Sequence, residues 1–189
     1  SSSIKFNNDL SFDYGEEGLT TLELEGCTIS YDSVTVIGHN EVVKTVDGNI
    51  ITISGLDARD YTLRVVTIPD SNHNSVTATR NFTVNRVDSD IRFLSTIVFD
   101  YGKSGSVNVE LDGCSLDLNH ISVLGHHEAE KRLVGNVITI SGLAVGTYIL
   151  SVTTVPDSNH NSVTRTNQIT VNSAGSGGGS GGSTTVKVR

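Results

Sequence analysis

The run GNIITISGLDARDYTLRVVTIPDSNHNSVT at Gly48–Thr77 returns as GNVITISGLAVGTYILSVTTVPDSNHNSVT at Gly135–Thr164. The offset is 87 positions, and it extends outward in both directions. FDYG at Phe12–Gly15 reappears at Phe99–Gly102, and EGC at Glu25–Cys27 reappears as DGC at Asp112–Cys114. At this shift the chain aligns with itself without a gap, and about half the positions match. A repeat this long is a domain-sized unit. The sequence therefore predicts two copies of one domain, residues 1–87 and 88–173, followed by a Gly/Ser segment, 174–183, and a last stretch, 184–189.

Within each copy the apolar residues alternate with polar ones. Leu22-Glu23-Leu24-Glu25, Val34-Thr35-Val36, Ile51-Thr52-Ile53 and Tyr61-Thr62-Leu63-Arg64-Val65 all carry the two-residue period of a half-buried strand. Turn residues interrupt at Tyr14-Gly15, Glu25-Gly26, Gly38-His39-Asn40, Asp47-Gly48-Asn49 and Ser54-Gly55. No window shows a helical period. About seven short strands per copy, punctuated every 8–12 residues, is the pattern of an immunoglobulin-like sandwich. The expected fold class is all-β: two tandem immunoglobulin-like β-sandwich domains with a C-terminal tethered β-strand. Tyr61 and Tyr148 fall near the start of the penultimate strand, where a tyrosine corner is expected.

Composition removes several classes of function. Across 189 residues there are 13 basic and 21 acidic side chains, a net charge of −8 with no basic stripe, which argues against a nucleic-acid partner. Residues 1–87 hold 6 basic and 12 acidic groups, and residues 88–173 hold 5 and 9, the ordinary charge of a solvated surface. No apolar run reaches the roughly 18–20 residues of a membrane helix, and no signal peptide is expected within this stretch. Two Cys are too few for a disulfide framework.

The closing half of each copy resembles bacterial Ig-like (BIG-type) repeats, which occur in large surface adhesins of bacteria and methanogenic archaea. The residues behind the likeness are Ser54-Gly55-Leu56 and Ser141-Gly142-Leu143, the Tyr-led strand after each, the polar DSNHNS hairpin and the closing strand. The second copy keeps Gly146-Thr147-Tyr148, whereas the first departs with Arg59-Asp60-Tyr61. About 40 residues of each copy match well and the earlier half only loosely. The resemblance implies an extracellular, cell-surface location and a stalk-forming or adhesive role, with neighbouring subunits or repeats as partners. It implies no ligand.

Candidate chemistry is sparse. The DSNHNS loops (Asp70–Ser75, Asp157–Ser162) space oxygen donors as a calcium loop does, but lack its central Gly and closing Glu, and read better as hairpin connections. Cys27 and Cys114 are equivalent positions in different copies, too far apart for a disulfide, and are expected as buried thiols. The six His fall in turns and are expected to be solvated. A Lys–Asn cross-link would draw on Lys44 or Lys131 and Asn85 or Asn172, with Glu23 or Glu110 as the acid. Lys5 suits such a bond less well, because its counterpart is Arg92. The sequon Asn81-Phe82-Thr83 has no counterpart in the second copy. No catalytic residue, cofactor site or metal site is assigned.

The tail has a pattern of its own. Both copies open on a short alternating strand with a central basic residue, Ser3-Ile4-Lys5-Phe6 and Asp90-Ile91-Arg92-Phe93, and the chain closes on Thr185-Val186-Lys187-Val188. The Gly/Ser run between them has the composition of an engineered tether. About ten such residues reach near 17 Å as a coil and about 33 Å when stretched, enough to reverse direction and lay a strand on the second domain. Two readings follow. In one, the tail is a remnant or truncated next domain. In the other, it is a donor strand that completes the second domain in cis, and Ile4, Lys5 and Phe6 are the donor segment for a preceding subunit of a pilus-like fibre. The functional expectation is a non-enzymatic structural or adhesive module. The alternative is a module that grips a host glycan or protein through its loops.

Overall fold

A computed structural model describes residues 1–174, and these fall into two compact units, Ser1–Val87 and a second beginning at Asp88. The first contains β1 (Ser3–Phe6), β2 (Phe12–Asp13), β3 (Glu17–Glu25), β4 (Val34–Val36), β5 (Val43–Asp47), β6 (Ile50–Ser54), β7 (Asp60–Val66) and β8 (Thr77–Asn85). After the two-residue strand β9 (Val87–Asp88) come β10 (Asp90–Phe93), β11 (Ile97–Asp100), β12 (Ser104–Asp112), β13 (Ile121–Val123), β14 (Glu130–Val134), β15 (Val137–Ser141), β16 (Gly146–Thr153), β17 (His160–Asn161) and β18 (Thr164–Asn172).

The first unit stacks the sheet β1-β3-β6-β5 on the sheet β2-β8-β7-β4, and the second repeats this as β10-β12-β15-β14 on β11-β18-β16-β13. Seven of the eight positions are those of an immunoglobulin-like sandwich. The eighth arises because the opening strand is split. β1 pairs antiparallel with β3 in one sheet, the chain crosses over, and β2 pairs parallel with β8 in the other. Loop geometry follows from local chemistry. β5 and β6 are joined by Gly48-Asn49, and Asp47 stands opposite Ile50. Gly48 has φ +60° while Asn49 does not enter the positive region, so this is the two-residue turn that takes Gly first. Gly135 repeats it at φ +59°.

Each core lies between its two sheets and is assembled from the inward positions predicted by alternation. Leu22, Ile51, Ile53, Leu63 and Val65 are fully buried in the first unit, and Val109, Ile138, Ile140, Leu150 and Val152 take the same places in the second. Burying one such side chain stabilises by about 1.5–3 kcal/mol. One core position changes character between the copies. Thr20 is buried and donates its hydroxyl to the Asn8 carbonyl at 3.1 Å, where the second unit has Val107. The crossover also imposes a close approach. A Cβ on Gly18 would lie 2.3 Å from the Leu10 carbonyl oxygen and 2.4 Å from Phe12, and one on Gly105 would lie 2.5 Å from Phe99.

Candidate functional site

The opening strand is already in use within its own unit. Ile4 pairs with Leu24, Lys5 with Glu23 and Phe6 with Leu22; Ile4 and Phe6 pack against the core while Lys5 faces water. Its Nζ stands 3.3 Å from Glu23 on the facing strand. β10 reproduces the arrangement, with Ile91 buried and Arg92 Nε donating to Glu110 at 2.6 Å. Such exposed pairs contribute about 0.2–1 kcal/mol, so they set register more than stability. The Gly/Ser segment from 175 onward and the donor candidates Thr185, Val186, Lys187 and Val188 lie outside the described residues. All eight strand positions of the second unit are filled by β10–β16 and β18. A donated strand must therefore displace β10 or extend an edge.

The loops after β3 and β7 meet at one end of the first unit, and those after β12 and β16 meet at the corresponding end of the second. Backbone bonds join them: Ile68 N–H donates to Thr28 O, and Val155 N–H to Ser115 O, both at 2.9 Å. The DSNHNS segment is a hairpin connection organised by its aspartate. Asp157 accepts from the backbone N–H of Asn159 at 2.8 Å, from that of His160 at 2.7 Å, and lies 3.0 Å from His160 Nδ1. Asp70 does likewise with Asn72 at 2.7 Å and with His73 Nδ1 at 3.0 Å. The backbone donor of Asn159, and for Asp70 that of Asn72, holds each carboxyl below its ordinary value. The His73 and His160 rings press on Gly26 and Gly113, where a Cβ would come within 2.8 and 2.4 Å.

The cysteines differ from expectation. Both are half-buried at this loop corner, not core residues, because they follow Gly26 and Gly113 and face main-chain carbonyls of short edge segments. They also differ from each other. Cys114 has φ +63°, among the described residues the one non-glycine in the left-handed region, and its Sγ faces the carbonyls of His160 and Asn161 at 3.9 and 3.8 Å. Cys27 Sγ instead faces Ser3 O at 3.5 Å. Cys114, Asp157 and His160 thereby bring three donor atoms within 4.8 Å of one another. The sequence carries the three residue types in both copies, but nothing in it marks the convergence.

Two more histidines have partners where solvated turns were expected. His39 Nδ1 pairs with Glu41 at 2.8 Å and its ring stands edge-on to Tyr61; His126 pairs with Glu128 at 3.0 Å and stands edge-on to Tyr148. His126, as the main cause, holds the Glu128 carboxyl below its ordinary value; for Glu41 its own backbone N–H acts first and His39 second. The tyrosine corner is present in both units. Tyr61 Oη donates to Asp57 O at 2.6 Å and Tyr148 Oη to Ala144 O at 2.8 Å, each four residues upstream. Burial pushes the Tyr61 phenol up.

The residues of a Lys–Asn cross-link are not brought together. Lys44 and Lys131 each turn inward from the edge strand and donate to a backbone carbonyl, Val34 O and Ile121 O, and Lys44 also lies 4.3 Å over the Tyr31 ring. Asn85 donates to Asp13 at 3.0 Å instead. The signal for this role was recurrence of a lysine at an inward-facing strand position. A surface depression beside Tyr61 is lined by Asp9, Ser11, Asp60 and Thr83, whose polar groups satisfy one another: Thr83 Oγ1 donates to Asp60 at 2.7 Å and Ser11 N–H to Asp9 at 3.1 Å. That second bond holds the Asp9 carboxyl below its ordinary value. Among the described residues no helix is long and apolar enough to cross a membrane.

The strand pairing defines the class: the chain is a tandem of two immunoglobulin-like β-sandwiches. No family model and no curated protein matches it. Among solved structures it is similar to the fibronectin(III)-like modules of Clostridium thermocellum CbhA, at 13% identity over 91% of this chain and 95% of that one, with a TM-score of 0.34. It is also similar to the D00–D0 domain of intimin, at 10% identity over 89% and 99% with a TM-score of 0.33. Domains 5–6 of the S-layer protein SbsC give 12% identity over 89% and 97%, again with 0.33.

Proposed function

We propose that the chain is a non-enzymatic structural and adhesive segment of an extracellular, cell-surface protein. The observation that carries this reading is the strand-by-strand preservation of the repeat. Every pairing of β1–β8 recurs among β10–β18, and the apolar core positions recur with it apart from Thr20, which is Val107 in the second unit. What is duplicated is the whole strand scaffold, and a duplicated scaffold serves as a repeated spacing unit. Its loops are polar and internally hydrogen-bonded, and the net charge of −8 keeps the surface soluble. The test is to label intact cells of the source organism with antibodies raised to the second unit and to shave them with protease. Surface labelling that disappears on shaving is expected; labelling only after permeabilisation sinks the proposal. A glycan-array signal that maps to the loop ends would instead favour a binding module for a host glycan or protein.

A second reading retains strand donation, and the observation favouring it is the pattern of the opening strand. In β1 and β10 the two apolar residues point inward and the central cation pairs with Glu23 or Glu110. Thr185-Val186-Lys187-Val188 carries the same order, with Lys187 as the cation and Val186 and Val188 as the inward pair. In this reading that segment pairs with β12 in place of β10, in cis or in a neighbouring subunit, and Ile4-Lys5-Phe6 is donated in the same way. Val186 and Val188 are smaller than Ile91 and Phe93, so exchange for β10 gives up apolar burial whether the acceptor β12 is the chain's own or a neighbour's. Deleting residues 184–189 should then lower the melting midpoint of the second unit or alter the oligomeric profile. An unchanged midpoint together with an unchanged profile refutes it.

A further inference from the structure

We propose that Cys114, Asp157 and His160 form a three-donor site for a borderline-soft divalent transition metal of the zinc type, in the second unit alone. Among the described residues this is the one place where three metal-ligating side chains converge, with donor atoms within 4.8 Å of one another. A tetrahedral zinc site with bonds of about 2.0–2.3 Å sets its donors about 3.3–3.8 Å apart. The His160 Nδ1 to Asp157 separation of 3.0 Å is already near that length. The remaining adjustment is a movement of about 1 Å by a thiol on a half-buried loop.

The donor chemistry and charge fit this class of ion. A thiolate and a carboxylate supply two negative charges to offset a dication, and the imidazole supplies a neutral nitrogen. Binding passes the Cys114 thiol proton to solvent, and the ring proton that His160 Nδ1 shares with Asp157 moves to Nε2 through solvent, which frees the Nδ1 lone pair for the ion. Water completes the fourth position. The frame is held on both sides: Ser89 Oγ donates to Asn161 O at 2.7 Å, Asn161 Nδ2 donates to Asp88 at 3.1 Å, and Val155 N–H donates to Ser115 O at 2.9 Å. The first two hold Asn161, next to His160, against Asp88 and Ser89, and the third holds the start of the Asp157 loop against the residue after Cys114.

The first unit serves as an internal control. It has Cys27, Asp70 and His73 at the same positions, but Cys27 lacks the left-handed backbone and its sulfur faces Ser3 O. The expected stoichiometry is therefore one ion per chain. The reduced, metal-free protein is titrated with cobalt(II), followed in the near ultraviolet for thiolate-to-cobalt charge transfer, and then with zinc(II) to displace it. One equivalent is expected, abolished by Cys114→Ser and retained by Cys27→Ser, with circular dichroism confirming that both variants fold. Zinc should also protect Cys114, and not Cys27, from alkylation in the unmodified protein, read by peptide mass; this measurement stands even if a variant fails to fold. Absence of a charge-transfer band, a signal that survives Cys114→Ser, two equal equivalents per chain, or equal alkylation of both thiols with zinc present overturns the proposal.

Discussion

Gly18→Ala tests the crossover that puts the opening strand into both sheets. In an ordinary strand, replacing Gly by Ala is favourable, because the unfolded chain loses freedom worth about 0.4–1 kcal/mol and strand interiors disfavour Gly. At Gly18 the sign reverses. The new methyl would sit 2.3 Å from the Leu10 carbonyl oxygen and 2.4 Å from Phe12 Cδ1, and Leu10 is 1% exposed. A backbone oxygen cannot turn aside as a side chain can, so β3 or the Asn8–Ser11 crossover has to shift. Overpacking of this kind costs about 1–3 kcal/mol, leaving a net loss near 1–2 kcal/mol after the entropic gain is set against it. For a domain of this size that lowers the melting midpoint by roughly 4–16 °C. The assay is differential scanning calorimetry, with amide resonances of the first unit identifying which transition moves. A first-unit midpoint equal to or above that of the unsubstituted protein refutes the claim that β3 is clamped beneath the crossover.

Three other outcomes follow from the same geometry. Tyr148→Phe removes the bond to Ala144 O and should cost about 1 kcal/mol in urea unfolding; no change in midpoint would mean the corner holds nothing in place. Ile140→Ala, at a fully buried position between the sheets of the second unit, should cost about 2–5 kcal/mol, and a loss under about 1 kcal/mol would mean the core is loosely packed there. Asp70 and Asp157 are held below 3.8 in the folded state, so the stability they contribute is present above that value and is lost as pH falls through the lower folded-state value. Urea midpoints measured from about pH 5 down to about pH 2 should therefore fall, and Asp157→Asn should flatten the decline; an identical slope in the variant would remove Asp157 from the explanation.

Much of the fold was legible because alternation and repetition report the same thing twice. Ile51 and Ile53, like Ile138 and Ile140, announce one buried face, and Tyr61 and Tyr148 sit where only a corner tyrosine makes sense. The split opening strand was not legible. Asn7-Asn8-Asp9-Leu10-Ser11 reads as a loop, and what makes Phe12–Asp13 a strand is its pairing with Val84 and Asn85, some 70 residues away. The loop corner was hidden for a similar reason. Cys114 and Asp157 are far apart in sequence, and their approach depends on a backbone bond between Val155 and Ser115 and on one positive φ. Lys44 and Lys131 drew attention as cross-linking amines, yet their length lets them reach a carbonyl on the opposite sheet, a contact that depends on sheet spacing.

The parallel pairing between the start and the end of each unit has a mechanical consequence. Tension applied through the chain pulls β11 and β18 in opposite directions along their shared axis, so their hydrogen bonds are loaded together in shear and do not open one by one. In the second unit this patch spans four residue pairs, Ile97 with Ile169 through Asp100 with Asn172, whereas the first unit has two, Phe12 with Val84 and Asp13 with Asn85. Under a common load the first unit would therefore give way before the second. Two copies that match at about half their positions would then differ in the load at which they yield, the first early and the second later.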